Sequence, residues 1–405
     1  MFCMKSTEMS TVICLSLLRR CQSLCVIRAR TLTVERAGVA PLRSHELREP
    51  VPPEILTFKD PRAFQAKSWG ELIRALGVFR LCSYPVVVNN CDKLMSMTRA
   101  ILGKCFFSMV LRPFVYAQFV AGETESEIGA SMKKMNSLGL RPMLAVPIEE
   151  DLGESAGEKR YDDNLAVMLE CVRMSHSNNW SKEPMMQLKI TALVSPELCV
   201  KLTSLTNQQH YDLDLVVKAM DGEESEDLVF NAIRLSVAQS FCFGVKLVRG
   251  AYMDKERKLA KNEGRADPVH QSWEHTNDSY NKSLEVILNL VSQQPDRYKI
   301  IVATHNEESV RKAVTWMTEL GIARDGGSVS FGQLLGMCDH VSLTLAQQGF
   351  SVYKSVPYGS VDDTLPYLVR RAQENRTVLQ GIRKERDLLR QELFRRIREK
   401  ITRAK

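Results

Sequence analysis

Two arginines, Arg370 and Arg371, stand side by side in the stretch YLVRRAQEN, with Glu374 one turn further on. On a helix Glu374 lies at i+4 from Arg370 and i+3 from Arg371, so it can form an ion pair with either. The doublet can be a solvated helix face, as Arg19–Arg20, Lys133–Lys134 and Arg395–Arg396 can be. It can equally grip a carboxylate, because planar guanidinium groups donate two parallel hydrogen bonds. On spacing alone the solvated face is the favoured reading.

A second cluster of bases lies in GVKLVRGAYMDKER. If Lys246 faces inward from a strand, Val248, Gly250 and Tyr252 share its face. Buried charges need partners, so Lys246 and Arg249 either sit at an exposed strand end or meet an anionic ligand, with Gly250 allowing close backbone approach. In IIVATHNEESV, Thr304, His305 and Asn306 end a strand and Glu307 and Glu308 open a helix. Backbone amides at such a helix start suit a phosphate. His305 reads as a catalyst or as a hydrogen-bonded structural histidine. The 11 cysteines are scattered, with no C-x-x-C and no Cys/His ladder at zinc spacing, so no metal site and no disulfide framework is expected.

These residues sit on a repeating pattern. Short apolar runs at 142–147, 186–193, 243–249, 298–304, 328–333 and 351–356 read as strands, with helices between them, for example at 279–293, 307–320 and 362–375. Alternating strand and helix predicts a parallel sheet in an α/β fold. Most runs end in polar or glycine-containing tails. In a (β/α)8 barrel that carboxyl end gathers the catalytic groups. No G-x-G-x-x-G follows a strand and no P-loop is present, which argues against a dinucleotide-binding doubly wound domain and against an NTPase.

The rest of the 405-residue chain frames that core. Residues 1–44 carry Lys5, Arg19, Arg20, Arg28 and Arg30 and are rich in serine, the composition of an unstructured mitochondrial leader; a secretory signal is the rival. A proline-rich linker covers 45–68, a helical region 69–138, the barrel 139–376, and a basic amphipathic helix 377–405. That last helix, with Leu379, Ile382, Leu389, Phe394 and Ile397 on its apolar side, is expected to pack on the body, with a membrane surface as the alternative. No apolar run reaches the ~20 residues that span a bilayer. A net charge of +7 is mild, and no nucleic-acid motif accompanies it.

Taken in order, KITAL, VKLVRGAY, ATHN, FGQLLGMCDH, VYKSVPYG and YLVRRAQEN resemble the proline dehydrogenase family, over residues 186–375, and within it the animal hydroxyproline dehydrogenase branch. The resemblance implies a (β/α)8 barrel that binds FAD without a Rossmann fingerprint. It implies oxidation of the C–N bond of proline or 4-hydroxyproline, hydride transfer to the flavin N5, and a quinone as electron acceptor. It implies that Arg370 and Arg371 bind the substrate carboxylate, joined by Lys189, lined by Tyr252 and held by Glu374. Lys246 would stand near the flavin N5, where many relatives have arginine. Arg249, Gly250, Ala251, Thr304, His305, Asn306 and Gln333 would contact the flavin and its phosphates. Ser355 occupies a position where proline-specific relatives carry a tyrosine over the ring, so a serine there suits a substrate with its own hydroxyl. A mitochondrial location, on the matrix side with peripheral contact to the inner membrane, is implied as well.

The resemblance also implies two strands that this sequence lacks. The family places a D-A-E strand and a Q-x-Y strand between KITAL and VKLVRGAY, yet only the 51 residues from Val194 to Gly244 separate them here, and they hold neither motif. Two extra strand–helix units need about 30 residues each besides the connection already present. The simplest account is an isoform or gene product lacking exons. The expectation is an incomplete barrel with open edges that binds flavin weakly or not at all. The rival readings are a non-catalytic relative and a barrel enzyme for a phosphorylated substrate.

Overall fold

The computed structural model describes residues 2–5, 56–148, 158–177, 180, 184–188, 192–193, 242–250, 253–264, 266–377 and 379–403. Its centre is a curled sheet. The strands are β1 (Phe2–Lys5), β2 (Arg141–Ala145), β3 (Met185–Leu188), β4 (Phe243–Val248), β5 (Tyr298–Ala303), β6 (Val329–Leu334) and β7 (Val352–Pro357), in the order β1-β3-β2-β7-β6-β5-β4. β2 to β7 are parallel. They form the incomplete barrel expected from the sequence: a half-barrel of six strands with helices packed outside. All six expected strands are present, β3 being described over Met185–Leu188, with the next three expected residues, 189–191, outside the described residues.

β1 is a correction. It comes from the expected unstructured leader, yet Phe2–Lys5 runs antiparallel along β3, with Phe2 opposite Leu188 and Lys5 opposite Met185. A free strand edge offers unpaired backbone groups to any extended segment of the same chain.

Register assigns the two faces. Lys246 pairs with Ile301, Leu334 with Ser355, and Ser355 with Met143, so these share the concave face. There Met143, Met185 and Tyr353 pack together with Ile301. Ile300, Val302, Val329, Phe331, Val352 and Val356 point the other way into the large core beneath the helices. Burial on both faces explains why β7 is buried at every position despite Lys354 and Ser355. At the far edge β4 pairs only with β5 among the described strands, and Val248 is 46% exposed.

The helices are α1 (Trp69–Cys82), α2 (Cys91–Leu111), α3 (Glu125–Ser137), α4 (Glu158–Ser177), α5 (Met253–Glu263), α6 (Trp273–Gln293), α7 (Glu307–Glu319), α8 (Asp339–Gln347), α9 (Val361–Thr377) and α10 (Leu379–Arg403). Capping boxes start α1 at Ser68/Glu71 and α3 at Thr124/Glu127, and Gly139, at φ 74°, follows the end of α3. α2 is kinked at Gly103, whose φ is 71° and ψ 163°. With the segment after it, Cys91–Phe119 forms 29 helical residues, the one stretch among the described residues long and apolar enough by composition to cross a membrane. The sequence reading finds no such run; Asp92, Lys93, Arg99, Lys104 and Arg112 are spread along the stretch.

α10 packs on the body. Leu388 and Leu389 are buried, and Arg396 donates to the carbonyls of Phe64 and Lys67. Its buried side differs from the expected one: Phe394 and Ile397 are exposed, whereas Glu385 and Glu392 are inside. Glu392 is held there by Arg395 and Arg396.

Candidate active site

The candidate site lies at the carboxyl ends of β4 to β7. Behind β7 the chain turns at Gly359, and α9 starts where Ser360 Oγ accepts from the Asp363 amide at 3.2 Å. Two turns later, Arg371 is only 6% exposed, with its guanidinium 4.9 Å from the Tyr367 ring centre. A guanidinium over a ring face is stabilised by the ring quadrupole. Arg370 beside it is half-buried. The doublet is therefore not a solvated face.

The charge of Arg371 reaches the end of β5. His305 follows β5, and burial pushes its imidazole down to about 3, with the charges of Lys354 and Arg371 adding to the effect. The ring is neutral at physiological pH. The Leu334 amide donates to His305 Nε2 at 3.4 Å, which assigns the proton to Nδ1. His305 is therefore a fixed neutral donor beside a buried cation.

Thr304 and Asn306 flank it and serve the backbone. The Asn306 amide donates to Thr304 Oγ1 at 3.1 Å, and Asn306 Oδ1 accepts from the Ser309 amide at 2.9 Å, capping α7. That amide, read from sequence as a phosphate donor, already has its acceptor. Gln333 is turned away from the concave face: Ser342 Oγ donates to its Oε1 at 3.1 Å, and its Nε2 donates to the Thr304 carbonyl at 3.5 Å. These bonds hold β6 to β5 and α8, and the flavin contact expected of Gln333 stays a proposal.

Ser355 lies on the concave face at the mouth of β7, in register with Met143 and Leu334 and 8% exposed. Lys246 shares that face on the outer strand β4. Arg249, just past β4, lies 5.1 Å from the Trp273 ring centre, and burial lowers its affinity for its proton. Its Nε is buried with no hydrogen-bond partner among the described residues. Gly250 follows at φ 63°, a left-handed conformation that glycine adopts freely. Lys189, Ala251 and Tyr252 lie outside the described residues, and for Glu374 only the backbone, within α9, is described. No group of His, Cys, Asp or Glu able to hold a metal occurs among the described residues.

Sequence reasoning missed the buried ionic cluster behind the site. Lys354, 1% exposed and on the helix side of β7, contacts Asp339 Oδ1 at 2.8 Å and donates to the Met337 carbonyl at 2.7 Å. Lys67 holds the other oxygen of Asp339 at 2.7 Å. Glu385 of α10 accepts from the amides of Cys338 and Asp339 at 2.9 and 2.8 Å, capping α8 from a distant helix. The signal was a lysine inside an apolar strand together with an acid in the FGQLLGMCDH loop, two charges that can be buried only as a pair.

An incomplete α/β barrel carrying a buried cation and a neutral histidine at its carboxyl ends defines the class, and three comparisons resolve it. A sequence profile for proline dehydrogenase matches residues 215–384. Hydroxyproline dehydrogenase from Xenopus laevis is 45% identical over 423 positions, covering 84% of this chain and 90% of that one. Proline dehydrogenase 1, mitochondrial, from Homo sapiens is 45% identical over 176 positions, 44% of this chain and 29% of that one. The crystal structure of proline utilization A from Bdellovibrio bacteriovorus shares the fold at a TM-score of 0.54 and 18% identity, over 77% of this chain and 38% of that chain. The chain belongs to the proline dehydrogenase family, oxidoreductases acting on CH–NH bonds of a small-molecule substrate, and within it to the hydroxyproline branch.

The Xenopus alignment also measures the gap. It runs 423 positions while covering only 84% of 405 residues, so that relative carries on the order of 80 residues absent here, two to three strand–helix units of about 30 residues each.

The fit of FAD is one-sided. On the β4–β5 side the donors suit an anionic dinucleotide: Lys246, the Arg249 Nε and the glycine backbone at 250. The strands that would face them from between β3 and β4 are not among the described strands.

Proposed function

We propose that this chain is built for the oxidation of 4-hydroxyproline, or of proline, to the corresponding pyrroline carboxylate. The observation that carries the reading is Arg371, a buried cation whose charge is felt by the neutral His305, where a substrate carboxylate would enter. Arg370 and Arg371 would bind that carboxylate, with Lys189, Tyr252 and Glu374 completing the grip. Ser355 would face the 4-hydroxyl. FAD, when bound, supplies the hydride acceptor, and Lys246, Arg249, Gly250, Ala251, Thr304, His305 and Asn306 form the wall along which it would lie. A quinone would take the electrons. The human relative's name, proline dehydrogenase 1, mitochondrial, supports a mitochondrial location; the matrix side and a peripheral contact with the inner membrane are part of the proposal alone.

One specific observation favours a second reading. The flavin wall opposite β4 has no counterpart in the sequence, so this chain would keep the substrate half of the site and hold flavin weakly. The test is purification of the full chain, its visible absorption spectrum and a hydroxyproline turnover assay. The expected outcome is substrate binding with little retained flavin. Stoichiometric flavin with turnover would overturn the second reading. Absence of both hydroxyproline and proline binding would overturn the first.

A further inference from the structure

Gln187 of β3 is 2% exposed, and its Nε2 is buried with no hydrogen-bond partner among the described residues. Parity fixes where the side chain points. Its neighbours Met186 and Leu188 pack into the large core beneath the helices, and Met185 packs with Met143 and Tyr353 on the concave face. Gln187 therefore looks into the barrel. It stands opposite Ala145 of β2, which pairs on its other side with Pro357 of β7. One rung deeper, Met143 joins Met185 to Ser355 in the same way. Gln187 and Ser355 thus lie on either side of β2, the amide one rung nearer the mouth, with only the methyl group of Ala145 between them at that level. Strands about 4.8 Å apart put the backbones of β3 and β7 roughly 10 Å from each other, which leaves room for a small ring between the two side chains.

A buried donor without an acceptor destabilises the free protein, and a ligand that supplies the acceptor removes that cost. We propose that Gln187 determines substrate specificity, its Nε2 donating to the 4-hydroxyl oxygen of hydroxyproline while Ser355 meets the same hydroxyl from β7. Charge selects the group. The concave neighbours Ala145, Met143, Met185 and Ser355 are all uncharged, so this part of the wall suits a neutral polar group and not a carboxylate. The carboxylate has its own partners in Arg370 and Arg371. A hydroxyl both donates and accepts, which lets one substituent satisfy an amide and a serine together. Proline offers neither contact and would leave the Gln187 amide unpaired in an apolar wall, the situation in which a polar site discriminates most strongly. The inference rests on the proposed oxidation of hydroxyproline and deepens it, because discrimination then comes from β3 as well as from Ser355.

The experiment is calorimetric titration of the full chain with hydroxyproline and with proline, for wild type and for Gln187→Met, which keeps the length of the side chain and loses the donor. Gln187→Met is expected to lower the affinity ratio of hydroxyproline to proline by about tenfold or more, through weaker hydroxyproline binding. Its melting temperature should match or exceed that of wild type, since the lost donor had no partner to leave behind; a glutamine kept for structure would lower it. Gln187→Leu, of similar volume, should behave alike and guards against a folding fault peculiar to one variant. An unmoved ratio in the folded variants overturns the inference and leaves the functional reading standing. Equal weakening of both ligands does the same, by assigning the amide to a group that the two share. Loss of folding in both variants would make Gln187 a structural residue and overturn the inference too. Wild type that binds neither imino acid overturns the functional reading, and this inference with it.

Discussion

Lys354 Nζ lies 2.8 Å from Asp339 Oδ1, with both side chains almost wholly out of water. Lys67 takes the other carboxylate oxygen, and this holds Asp339 well below the usual carboxylate range against the opposing effect of burial. Two lysines share one carboxylate at the back of the site. Lys354→Met removes the more buried lysine and takes a donor from the carbonyls of Met337 and Leu334, the latter keeping the Met337 amide. The variant is expected to lose about 3–5 kcal/mol, read from the urea midpoint. Lys67→Met, whose side chain is partly exposed, should cost less.

Gly336 allows the loop after β6 to close against the N-terminal helices. Its φ is 75°, and a Cβ there would fall 2.0 Å from the Gln118 carbonyl oxygen, which is backbone and cannot swing aside. Gln118 Nε2 in turn donates to the Gly336 carbonyl at 2.9 Å. Gly336→Ala therefore carries both a left-handed strain and a clash, and should destabilise by about 3 kcal/mol or more. A thermal melt checks it, with Gly349→Ala as a comparison: Gly349 has a similar φ of 81° but nothing near its Cβ.

Acid should release α10 from the barrel. Burial pushes Glu307 up, but hydrogen bonds from His340 at 2.9 Å and Lys384 at 2.5 Å outweigh it and bring the carboxyl down to about 2. A depressed carboxylate stabilises the fold above its unfolded value and loses that contribution as pH falls through the folded one. The loss from Glu307 should thus run from about pH 4.5 to 2. Glu385, held above its ordinary range by burial, works in the opposite direction. Urea midpoints of wild type should fall across this window, and those of Glu307→Gln should fall less.

The strands were legible because each is a short apolar run with a polar tail. The capping boxes were legible because Thr124 and Glu127 sit three apart. Facing was not. A parallel strand is apolar on both sides, so nothing local in VYKSVP says that Ser355 looks into the barrel and Lys354 out of it. The same ambiguity hides from the sequence that Gln333 meets Ser342 on the helix side. Lys67 and Asp339 are 272 residues apart, and Glu385 reaches Asp339 from another helix, so no spacing rule connects them. Periodicity marks α2 as helical, but the pattern cannot say that its outer side meets no partner among the described residues.

Arg371 should govern substrate affinity through the shape of its donor fork. Arg371→Lys keeps the charge and loses the planar pair of donors. Hydroxyproline binding, measured by calorimetry on the full chain, is expected to weaken by about tenfold to a hundredfold, the worth of one charge-assisted hydrogen bond. A melting curve of the variant reports any loss from the Tyr367 stack separately. Unchanged affinity would return the doublet to a structural part.

Ser355 should set the choice between the two imino acids. It sits on the concave face between Met143 and Leu334, nearly buried, where the family resemblance gives proline-specific relatives a tyrosine. A tyrosine there would fill the volume a 4-hydroxyl needs and remove the serine hydroxyl that could pair with it. Rejection by an unpaired polar group or a filled pocket outweighs the gain from ring packing. Ser355→Tyr is therefore expected to lower the affinity ratio of hydroxyproline to proline by about tenfold or more, while Ser355→Ala, which removes only the hydroxyl, should lower it less. Parallel titrations of the three proteins with both ligands read this directly, whether or not flavin is retained. Equal ratios in all three would place the discrimination elsewhere on the concave face.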